Sequence, residues 1–549
     1  MECDLFIKNG TIVDGTGGPS FKGHVAIDED RIVAVWDDQS ADAAAISAGR
    51  TIDAQGLTVA PGFIDIHSHN DFIMPLPEQS ELLASMLEQG VTTVVGGNCG
   101  FSPAPLERNT THFQFLTEAS EFIAGRPLDI TWASMNEFLG HVENLGLSLN
   151  LAQLAGHGSM RCSLWGNDYS DPGDDLAKLE ALLDEAFDAG AYGFSLGLGY
   201  EPGMFVNDRE LIRLARRVKH HDGILTVHTK AQSKISPSYG LSFFGDPHNI
   251  RALKEMIALA EQTGVRLQIS HLIFVGNKTW PSCEQSLTLI EQARERGVDV
   301  AFDAFPQMAG NTTIYVIYPD WFLKDIDKNF ASLPARMRLH IEWSIGFRML
   351  GFGIDDAQLM WAGHPDYEQY NGMFFPEIGR AMGLSTRQAY LRISQESRGK
   401  ATCLFHKYSG DESNQEALHS VLKHPLCLFE TDALVSSVGS ANPGAYGTFP
   451  RVIQECHKDL NLFSLEDAIA RMTGKSAERF GLKDRGFVKS GLAADLTLFD
   501  YNEIKDNTTV YDTRRRPDGI RHVFLNGVEV VTEGQADQSI RAGKVLRRS

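Results

Sequence analysis

The sequence is poor in the features that mark secreted, membrane-spanning and nucleic-acid-binding proteins. It has 7 cysteines among 549 residues, an odd number without a CxxC pair, which predicts reduced thiols rather than a disulfide framework. Basic residues number 50 against 71 acidic ones, and the net charge of −21 argues against nucleic acid and anionic membranes as partners. No stretch approaches the roughly 20 apolar residues of a membrane span, and no basic segment followed by an apolar run resembles a secretory signal. We therefore expect a cytoplasmic protein.

Strand-forming segments occupy both ends of the chain. Residues 4–13 contain two β-rich runs around Asn9-Gly10, a strong hairpin signal, and residues 522–531 repeat the pattern. The segments between these ends have a different character. Two strand-rich termini that flank a different middle predict one small β domain, built from residues 1–60 and 486–549.

The middle of the chain alternates between short apolar runs and helical stretches. Residues 175–187, for example, have the apolar period of an amphipathic helix. Eight strands that alternate with helices predict a (β/α)₈ barrel over residues 61–485. About 120 residues separate the last two runs, and because long structureless loops are rare in compact domains, we expect a helical insertion over residues 307–400. The predicted barrel strands are residues 62–66, 92–95, 149–154, 192–196, 223–227, 266–269, 299–302 and 425–429.

Candidate metal ligands follow the ends of these predicted strands. His67 and His69 follow the first one, and residues two apart on an extended strand point to the same face. Barrel enzymes build their sites at the carboxyl ends of the strands. Imidazole, thiolate and carboxylate are ligands that Zn²⁺ accepts, so the pattern predicts a zinc site. The other candidates, which follow the second, fifth, sixth and eighth strands, are Cys99, His228, His271 and Asp432.

Several motifs resemble those of one enzyme family. Residues 58–71, Thr-Val-Ala-Pro-Gly-Phe-Ile-Asp-Ile-His-Ser-His-Asn-Asp, look like the first metal motif of the amidohydrolase superfamily. The resemblance extends over nearly the whole chain except the insertion. It implies a TIM barrel with a small β-sandwich formed by both termini. The segments that resemble the N-acyl-D-amino-acid deacylase (D-aminoacylase) branch are residues 97–100, 193–202, 270–271, 447–451 and 472–481.

The resemblance also implies how a metal is held. Most relatives with two metals bridge them with a carboxylated Lys from the fourth strand, but residues 192–198 contain no Lys. In the deacylase branch a Cys on the second strand takes that place. The resemblance therefore implies one tightly bound Zn²⁺ on Cys99, His228 and His271.

The remaining three candidates imply a second role for the cluster. His67 and His69, with Asp432, would frame a second metal site of weaker occupancy. Asp432 is placed to accept a proton from water and to pass it to the leaving nitrogen, as general base and then general acid. The expected reaction is zinc-dependent hydrolysis of a C–N amide bond.

The chain departs from the deacylases in the residues that hold the substrate's carboxylate. Their usual Lys two residues after the sixth-strand His corresponds to Ile273, and their Arg before Gly-Thr-Phe-Pro-Arg corresponds to Gly444. A Tyr and a Ser correspond to Phe305 and Asn311, whereas Tyr200 persists. Because a buried carboxylate without partners is costly, we expect a neutral, apolar or aromatic amide rather than an N-acyl-D-amino acid.

Two further features bear on the expected pocket. His157 resembles a residue of the same branch, and two roles are open to it, a pocket residue or a structural hydrogen-bonding group. The insertion is rich in aromatic residues, some of which we expect to reach the pocket as part of a lid. The aromatic candidates are Tyr315, Tyr318, Trp321 and Trp343.

Other functions stay open at this point. Lys230 is able to supply a new cation for an N-acyl-D-amino-acid deacylase, and the same metal suits a decarboxylase or a C–C hydrolase. The motif around Ser195 matches a nucleophile elbow, although Gly199 and Pro202 interrupt the helix that must follow. A non-enzymatic binding protein predicts loss of the chemical residues, all of which are present. The number of metals and assembly into a homo-oligomer are also left open.

Overall fold

The computed structural model of the chain describes residues 1–39, 46–236, 238–239 and 245–548. Its strands are β1 (Glu2–Ile12), β2 (Phe21–Asp28), β3 (Arg31–Asp37), β4 (Ser47–Asp53), β5 (Leu57–Pro61), β6 (Phe63–Asp65), β7 (Val91–Gly96), β8 (Asn150–Gly156), β9 (Gly193–Gly197), β10 (Ile224–His228), β11 (Arg266–Ile269), β12 (Val300–Ala304), β13 (Ala309–Thr313), β14 (Ala357–Trp361), β15 (Thr402–His406), β16 (Cys427–Phe429), β17 (Leu496–Asp500), β18 (Ile520–Leu525), β19 (Val528–Thr532), β20 (Gln535–Ala536) and β21 (Val545–Leu546). Its α-helices are α1 (Gln79–Leu82), α2 (Ala84–Glu88), α3 (Gln114–Ala124), α4 (Met135–Leu145), α5 (His157–Trp165), α6 (Leu176–Asp188), α7 (Asp208–His220), α8 (His248–Thr263), α9 (Cys283–Glu295), α10 (Asp320–Lys324), α11 (Ile326–Ala331), α12 (Leu333–Leu350), α13 (Phe375–Met382), α14 (Thr386–Glu396), α15 (Glu416–Lys423), α16 (Gly444–Arg451), α17 (Leu465–Met472) and α18 (Gly474–Phe480).

Eight parallel strands form a nearly closed barrel in the order β16-β12-β11-β10-β9-β8-β7-β6. Strands β7, β8 and β9 are buried at every position, as expected for a parallel sheet covered on both faces. The outer strands meet through Asp65, whose carboxylate accepts the backbone N–H of Thr431 at 3.1 Å and its hydroxyl at 2.6 Å. Each predicted barrel strand overlaps one of these eight, so the predicted barrel is confirmed.

The helices pack around the barrel with their apolar faces inward. The helix predicted over residues 175–187 is α6, which buries Leu176, Leu179 and Leu183 at spacings of three and four residues. Among the described residues, no helix has both the length and the apolar character needed to cross a membrane.

Strands from both ends of the chain form a second sheet of nine strands. Its order is β20-β19-β18-β17-β5-β1-β2-β3, with β4 paired to β1. Apolar residues from the two ends, among them Ile7, Val25 and Phe524, share one core. This domain is tied to the barrel because β21 pairs with β8, and because the Asn526 amide donates to Asn150 Oδ1 at 2.8 Å.

The insertion after β12 contains a sheet as well as helices. Strands β13, β15 and β14 form a three-stranded antiparallel sheet in that order, and α10 to α14 lie between β13 and β15 in the chain. The insertion therefore contains the expected helices. It also contains a sheet that the sequence does not predict, and β15 of this sheet lies beyond residue 400. A bridge between Val275 and Tyr408 joins the insertion to the loop after β11. The insertion thus sits beside the carboxyl end of the barrel.

Candidate metal centre

The six predicted ligand residues converge at the carboxyl ends of the barrel strands. His67 and His69 follow β6, Cys99 follows β7, His228 ends β10, His271 follows β11 and Asp432 follows β16. The layout of a parallel barrel brings the carboxyl ends of different strands together.

The sulfur of Cys99 is the centre of the cluster. It lies 3.2 Å from Nε2 of His67, 3.3 Å from Nε2 of His271 and 3.8 Å from Nδ1 of His228. The same nitrogens of His228 and His271 are 3.0 Å apart. Cys99 therefore contacts donors from both the first strand and the fifth and sixth strands, as a shared ligand must.

Asp432 lies on the side of the cluster that faces the first strand. Its Oδ1 is 3.5 Å from Nε2 of His67 and 3.6 Å from Nε2 of His69. The side chain is 24% exposed whereas His67 is fully buried, so Asp432 is the donor of this group with open space beside it. That exposure leaves room for a reacting molecule at the carboxylate.

The donor atoms fit a metal ion. One atom from each of His67, Cys99, His271 and Asp432 lies within 4.8 Å of all the others. Tetrahedral zinc with bonds of 2.0–2.3 Å holds its donors about 3.3–3.7 Å apart, which is close to the separations around Cys99. The site combines one thiolate with imidazoles and a carboxylate, and this set suits Zn²⁺.

Mutual electrostatics set the protonation of the cluster. Burial would raise the pKa of the Cys99 thiol, but the neighbouring His67 and His271 outweigh it and lower that pKa well below its ordinary value. Burial would likewise lower the pKa of His67, but the Cys99 thiolate and Asp303 raise it well above its ordinary value. The lowered pKa favours the Cys99 thiolate, which is the form that binds metal.

Three of the donors have left-handed backbones. The φ angles are +55° at Cys99, +32° at His271 and +41° at Asp432. A non-glycine residue in this region carries about 1–3 kcal/mol of strain, which persists only where the surroundings fix the conformation. Each of these residues leaves its strand in a sharp turn that directs its side chain into the cluster.

The turn at Cys99 is fixed by the β9 strand. Ser195 donates its hydroxyl to the carbonyl of Gly97 at 2.5 Å and accepts the N–H of Gly100 at 2.9 Å. It is fully buried inside a strand, so the nucleophile-elbow interpretation is wrong, because that motif needs an exposed serine on a strand-to-helix turn. The hydroxyl of Tyr200 donates to the carbonyl of Cys99 at 2.6 Å and completes the support.

The sequence reasoning missed Asp303 at the end of β12. One of its oxygens accepts the N–H of His271 at 2.7 Å and lies 3.4 Å from Nδ1 of His67, while the other accepts from Gln268 at 2.7 Å. The amide of Gln232 lies 2.7 Å from Nδ1 of His271. These groups orient the histidines, and only the position of Asp303 at a strand end offered a signal.

A row of aromatic rings borders the cluster. Phe101 stacks on Phe115 at 5.4 Å and on Tyr200 at 5.3 Å, and Tyr200 meets His228 edge-on at 4.9 Å. Phe101 also lies 6.2 Å from the ring of His69. The three aromatic rings are half-buried, so they form an apolar wall beside the metal ligands.

The aromatic residues expected as a lid do not form this wall. Tyr318 and Trp343 are buried in the core of the insertion, and Tyr315 packs against them. Trp321 lies under the guanidinium of Arg338 at 3.9 Å. The expectation that these rings reach the pocket is therefore wrong. Their contacts lie within the insertion, where they form part of its own core.

Tyr408 joins the insertion to the loop after β11 through its bridge with Val275. Burial and the negative charge of Asp432 raise the pKa of its phenol. It follows β15 and packs over Gly310, where an added Cβ would lie 2.3 Å from the ring. No sequence pattern signals this contact, since it depends on how the insertion docks.

The other predicted pocket residues occupy different surroundings. Ile273 and Phe305 are buried, and Ile273 lines a small cavity that also contacts His271. Gly444 lies beside the carbonyl of Thr431, which precedes Asp432. Asn311 lies in β13 of the insertion, and its Oδ1 is buried without a hydrogen bond.

His157 takes part in a buried polar contact at the start of α5. Its Nε2 lies 2.7 Å from Oε1 of Glu210, and Arg161 approaches the same oxygen at 3.4 Å. Its ring meets Phe194 edge-on at 6.1 Å. These contacts are those of a residue that joins α5 to α7.

Known proteins are similar to this chain in sequence and in fold. The amidohydrolase family model matches residues 50–317 and 375–531. The N-acyl-D-glutamate deacylase of Alcaligenes xylosoxydans xylosoxydans is 31% identical over 551 residues, an alignment that covers 100% of this chain and 97% of the deacylase. The D-aminoacylase of the same organism is 29% identical over 549 residues and covers 100% of this chain and 98% of its own length.

A solved structure agrees with these relatives. The N-acyl-D-glutamate deacylase from Bordetella bronchiseptica, complexed with zinc and a phosphonate mimic of the tetrahedral intermediate, matches with a TM-score of 0.80 and 27% identity over 100% of both chains. The barrel, the cluster at its carboxyl end and these matches agree: the chain belongs to the amidohydrolase family, whose members here are metal-dependent hydrolases of C–N bonds.

Proposed function

We propose that the protein is a zinc-dependent amidase whose substrate presents a neutral, apolar or aromatic group to the pocket. The observation that carries the proposal is the cluster around the Cys99 sulfur, with three imidazole nitrogens at 3.2, 3.3 and 3.8 Å. Cys99, His228 and His271 would hold the tight zinc. His67 and His69, with Asp432, would hold a weaker second ion.

A bound zinc ion would supply a Lewis acid that polarises the scissile carbonyl and lowers the pKa of water toward about 7. Asp432 would accept the proton of the attacking water and deliver it to the leaving nitrogen. Burial would raise the pKa of Asp432, but His271 and His69 outweigh it and lower that pKa below its ordinary value. The carboxylate is therefore ionised and ready to act as a base.

The wall formed by Phe101, Phe115 and Tyr200 supports an apolar substrate. Rings of this kind bind flat or aliphatic groups through buried area and offset stacking. Ile273 and Phe305 are uncharged and buried at the positions where the resemblance to the deacylases implies a cation and a phenol. The hydroxyl of Tyr200 already donates its hydrogen bond to the backbone carbonyl of Cys99, so it is not free to donate to a substrate's carboxylate.

A second candidate is deacylation of an N-acyl-D-amino acid. It is favoured by the relatives, which include enzymes named N-acyl-D-glutamate deacylase and D-aminoacylase. Lys230 lies two residues after His228 and is half-buried, so its ammonium is the cation that would take the substrate's carboxylate. The same metal chemistry also serves a decarboxylase or a C–C hydrolase, but no residue among those described specifically supports either reaction.

One pair of compounds separates the two candidates. N-acetyl-D-phenylalanine and N-acetyl-D-phenylalaninamide share chirality and side chain and differ in the charge of one group. With the zinc-loaded enzyme, acetate release should favour the neutral compound in kcat/KM by about tenfold or more, because an unpaired buried carboxylate is costly. A preference for the acid that disappears in Lys230→Met would establish the second candidate, and absence of hydrolysis of any amide would contradict both.

A further inference from the structure

The helix α12 of the insertion is apolar on two opposite faces. One face carries Leu339 and Trp343, which are buried in the insertion's core. The opposite face forms a stripe of aliphatic side chains that are 56–61% exposed and spaced four residues apart. We call this the α12 stripe; its residues are Leu333, Met337, Ile341 and Ile345.

Such a helix is normally covered on both sides. A row of four large exposed aliphatic side chains usually marks an interface, since these side chains gain free energy by leaving water. Nothing among the described residues covers this row.

We propose that the α12 stripe is the contact surface of a homodimer, in which α12 of one chain packs antiparallel against α12 of a second copy. The spacing is self-complementary. A two-fold axis that crosses the stripe at its midpoint, between Met337 and Ile341, pairs Leu333 of one chain with Ile345 of the other. It also pairs Met337 with Ile341. Rows of side chains four residues apart are the ridges by which helices most often pack, and two-fold dimers are the commonest assemblies.

The charges around the stripe favour this partner. The chain carries a net charge of −21, so two copies repel each other over most of their surface. Beside the stripe the exposed charge is not acidic. Arg348 is exposed, and Glu342 is neutralised by Arg338 at 2.7 Å. The repulsion between two copies is therefore weakest at this surface.

The area is of the right order. The four aliphatic side chains at about 100 Å² each offer roughly 400 Å² per chain, by the area that a buried aliphatic side chain contributes. A stable interface buries about 800 Å² per partner. The exposed residues beside the stripe, Pro334, Arg338 and Ser344, would supply the polar rim. The family model leaves residues 318–374 unmatched, so this surface is an addition outside the part of the chain that the family model matches.

Sedimentation of the full-length zinc-loaded protein tests the proposal. The parent should sediment as a dimer at micromolar concentration, and Ile341→Arg should shift it to the monomer without loss of thermal stability at low concentration. Leu460→Glu, at a residue 40% exposed outside the stripe, is the matched control and should stay dimeric. A parent that stays monomeric over the accessible concentrations, or a dimer that persists in Ile341→Arg, would overturn the proposal.

A second measurement guards against a variant that fails to fold. All seven native cysteines are buried, so new surface thiols can be crosslinked selectively. The double variant Met337→Cys/Ile341→Cys should form a covalent dimer under oxidation, whereas Leu460→Cys should not. Flotation of a monomeric parent with phosphatidylcholine or phosphatidylglycerol vesicles, lost in Ile341→Arg, would overturn the dimer in favour of a lipid surface.

Discussion

Asp303 holds His271 through its backbone rather than its ring: a carboxylate oxygen accepts the His271 N–H at 2.7 Å. The same oxygen lies 3.4 Å from Nδ1 of His67, so one carboxylate positions imidazoles from two different strands. At His67 the carboxylate faces the ring itself, and a group that orients an imidazole in this way leaves the other ring nitrogen free to bind metal.

Replacement of Asp303 should therefore weaken metal binding. Asp303→Asn keeps the shape but removes the charge that faces both histidines, and zinc affinity should fall by about 10- to 100-fold. Competition with a chromogenic chelator measures the change. Asp299→Asn is the matched control, because Asp299 precedes the same strand, is 47% exposed and pairs with Arg479. Equal zinc affinity in Asp303→Asn and the parent would contradict the orienting role.

Cys99 should be indispensable for the metal. Cys99→Ser replaces the central thiolate with a poor ligand, so zinc affinity should fall by more than the roughly 10- to 100-fold expected for an orienting group. Elemental analysis after dialysis gives the zinc content. Cys456→Ser is the control: this thiol is buried elsewhere, and burial raises its pKa to about 12. Full zinc content in Cys99→Ser would refute the ligand assignment.

Asp432 should act on the proton rather than on the tight metal. Asp432→Asn cannot accept a proton, and kcat should fall by about two orders of magnitude or more. The tightly bound zinc should remain, since Cys99, His228 and His271 are intact. A variant that keeps the parent's kcat would exclude Asp432 as the base, and one that loses all zinc would make Asp432 a ligand of the tightly bound metal.

Ser195 should contribute to stability and not to chemistry. Ser195→Ala leaves the buried N–H of Gly100 without its acceptor, which costs about 1–3 kcal/mol of unfolding free energy. The amidase rate should stay within about tenfold of the parent, because the hydroxyl supports the Cys99 turn from inside β9. Kinetics and calorimetry on the same sample test both parts. Complete loss of activity in a folded, zinc-loaded variant would restore the serine-nucleophile interpretation.

The parts of the site that the sequence predicts are those encoded locally. His67 and His69 follow a short apolar strand at a spacing of two, and the side-chain period of a strand brings both to one face. The barrel itself follows from the alternation of buried strands and amphipathic helices such as α6. These signals need no knowledge of which segments meet in space.

The parts that the sequence does not predict depend on contacts between distant segments. Asp303 reaches His271 because β12 lies beside β11 in register, and Tyr408 reaches Val275 because the insertion docks on the loop after β11. The prediction for the aromatic residues failed for a related reason. The sequence shows that residue 343 is a Trp but not whether its ring faces a pocket or a core. The structure places it in the insertion's core, with only 3% exposed.

A pH-dependent contribution to stability should come from Glu529 in the terminal sheet. Its Oε1 lies 2.7 Å from Nδ1 of His522, and its other oxygen pairs with Arg50 of β4. Burial would raise the pKa of Glu529, but His522 and Arg50 outweigh it and hold that pKa at about 2, below the ordinary 4.5. A lowered pKa means that the stabilisation is fully present above the unfolded value of 4.5 and is lost as the pH falls toward 2. Glu529→Gln should therefore lower the unfolding free energy by about 1–2 kcal/mol at pH 7, after allowance for solvent screening, and the difference should shrink below pH 4.5.

Calorimetry of both proteins at pH 7, 5 and 4 measures this difference in unfolding free energy. The control is Glu533→Gln, at a residue of the same region that is 69% exposed, and it should change the stability little. A difference between parent and Glu529→Gln that stays constant with pH would show that the side chain stabilises the sheet by packing alone.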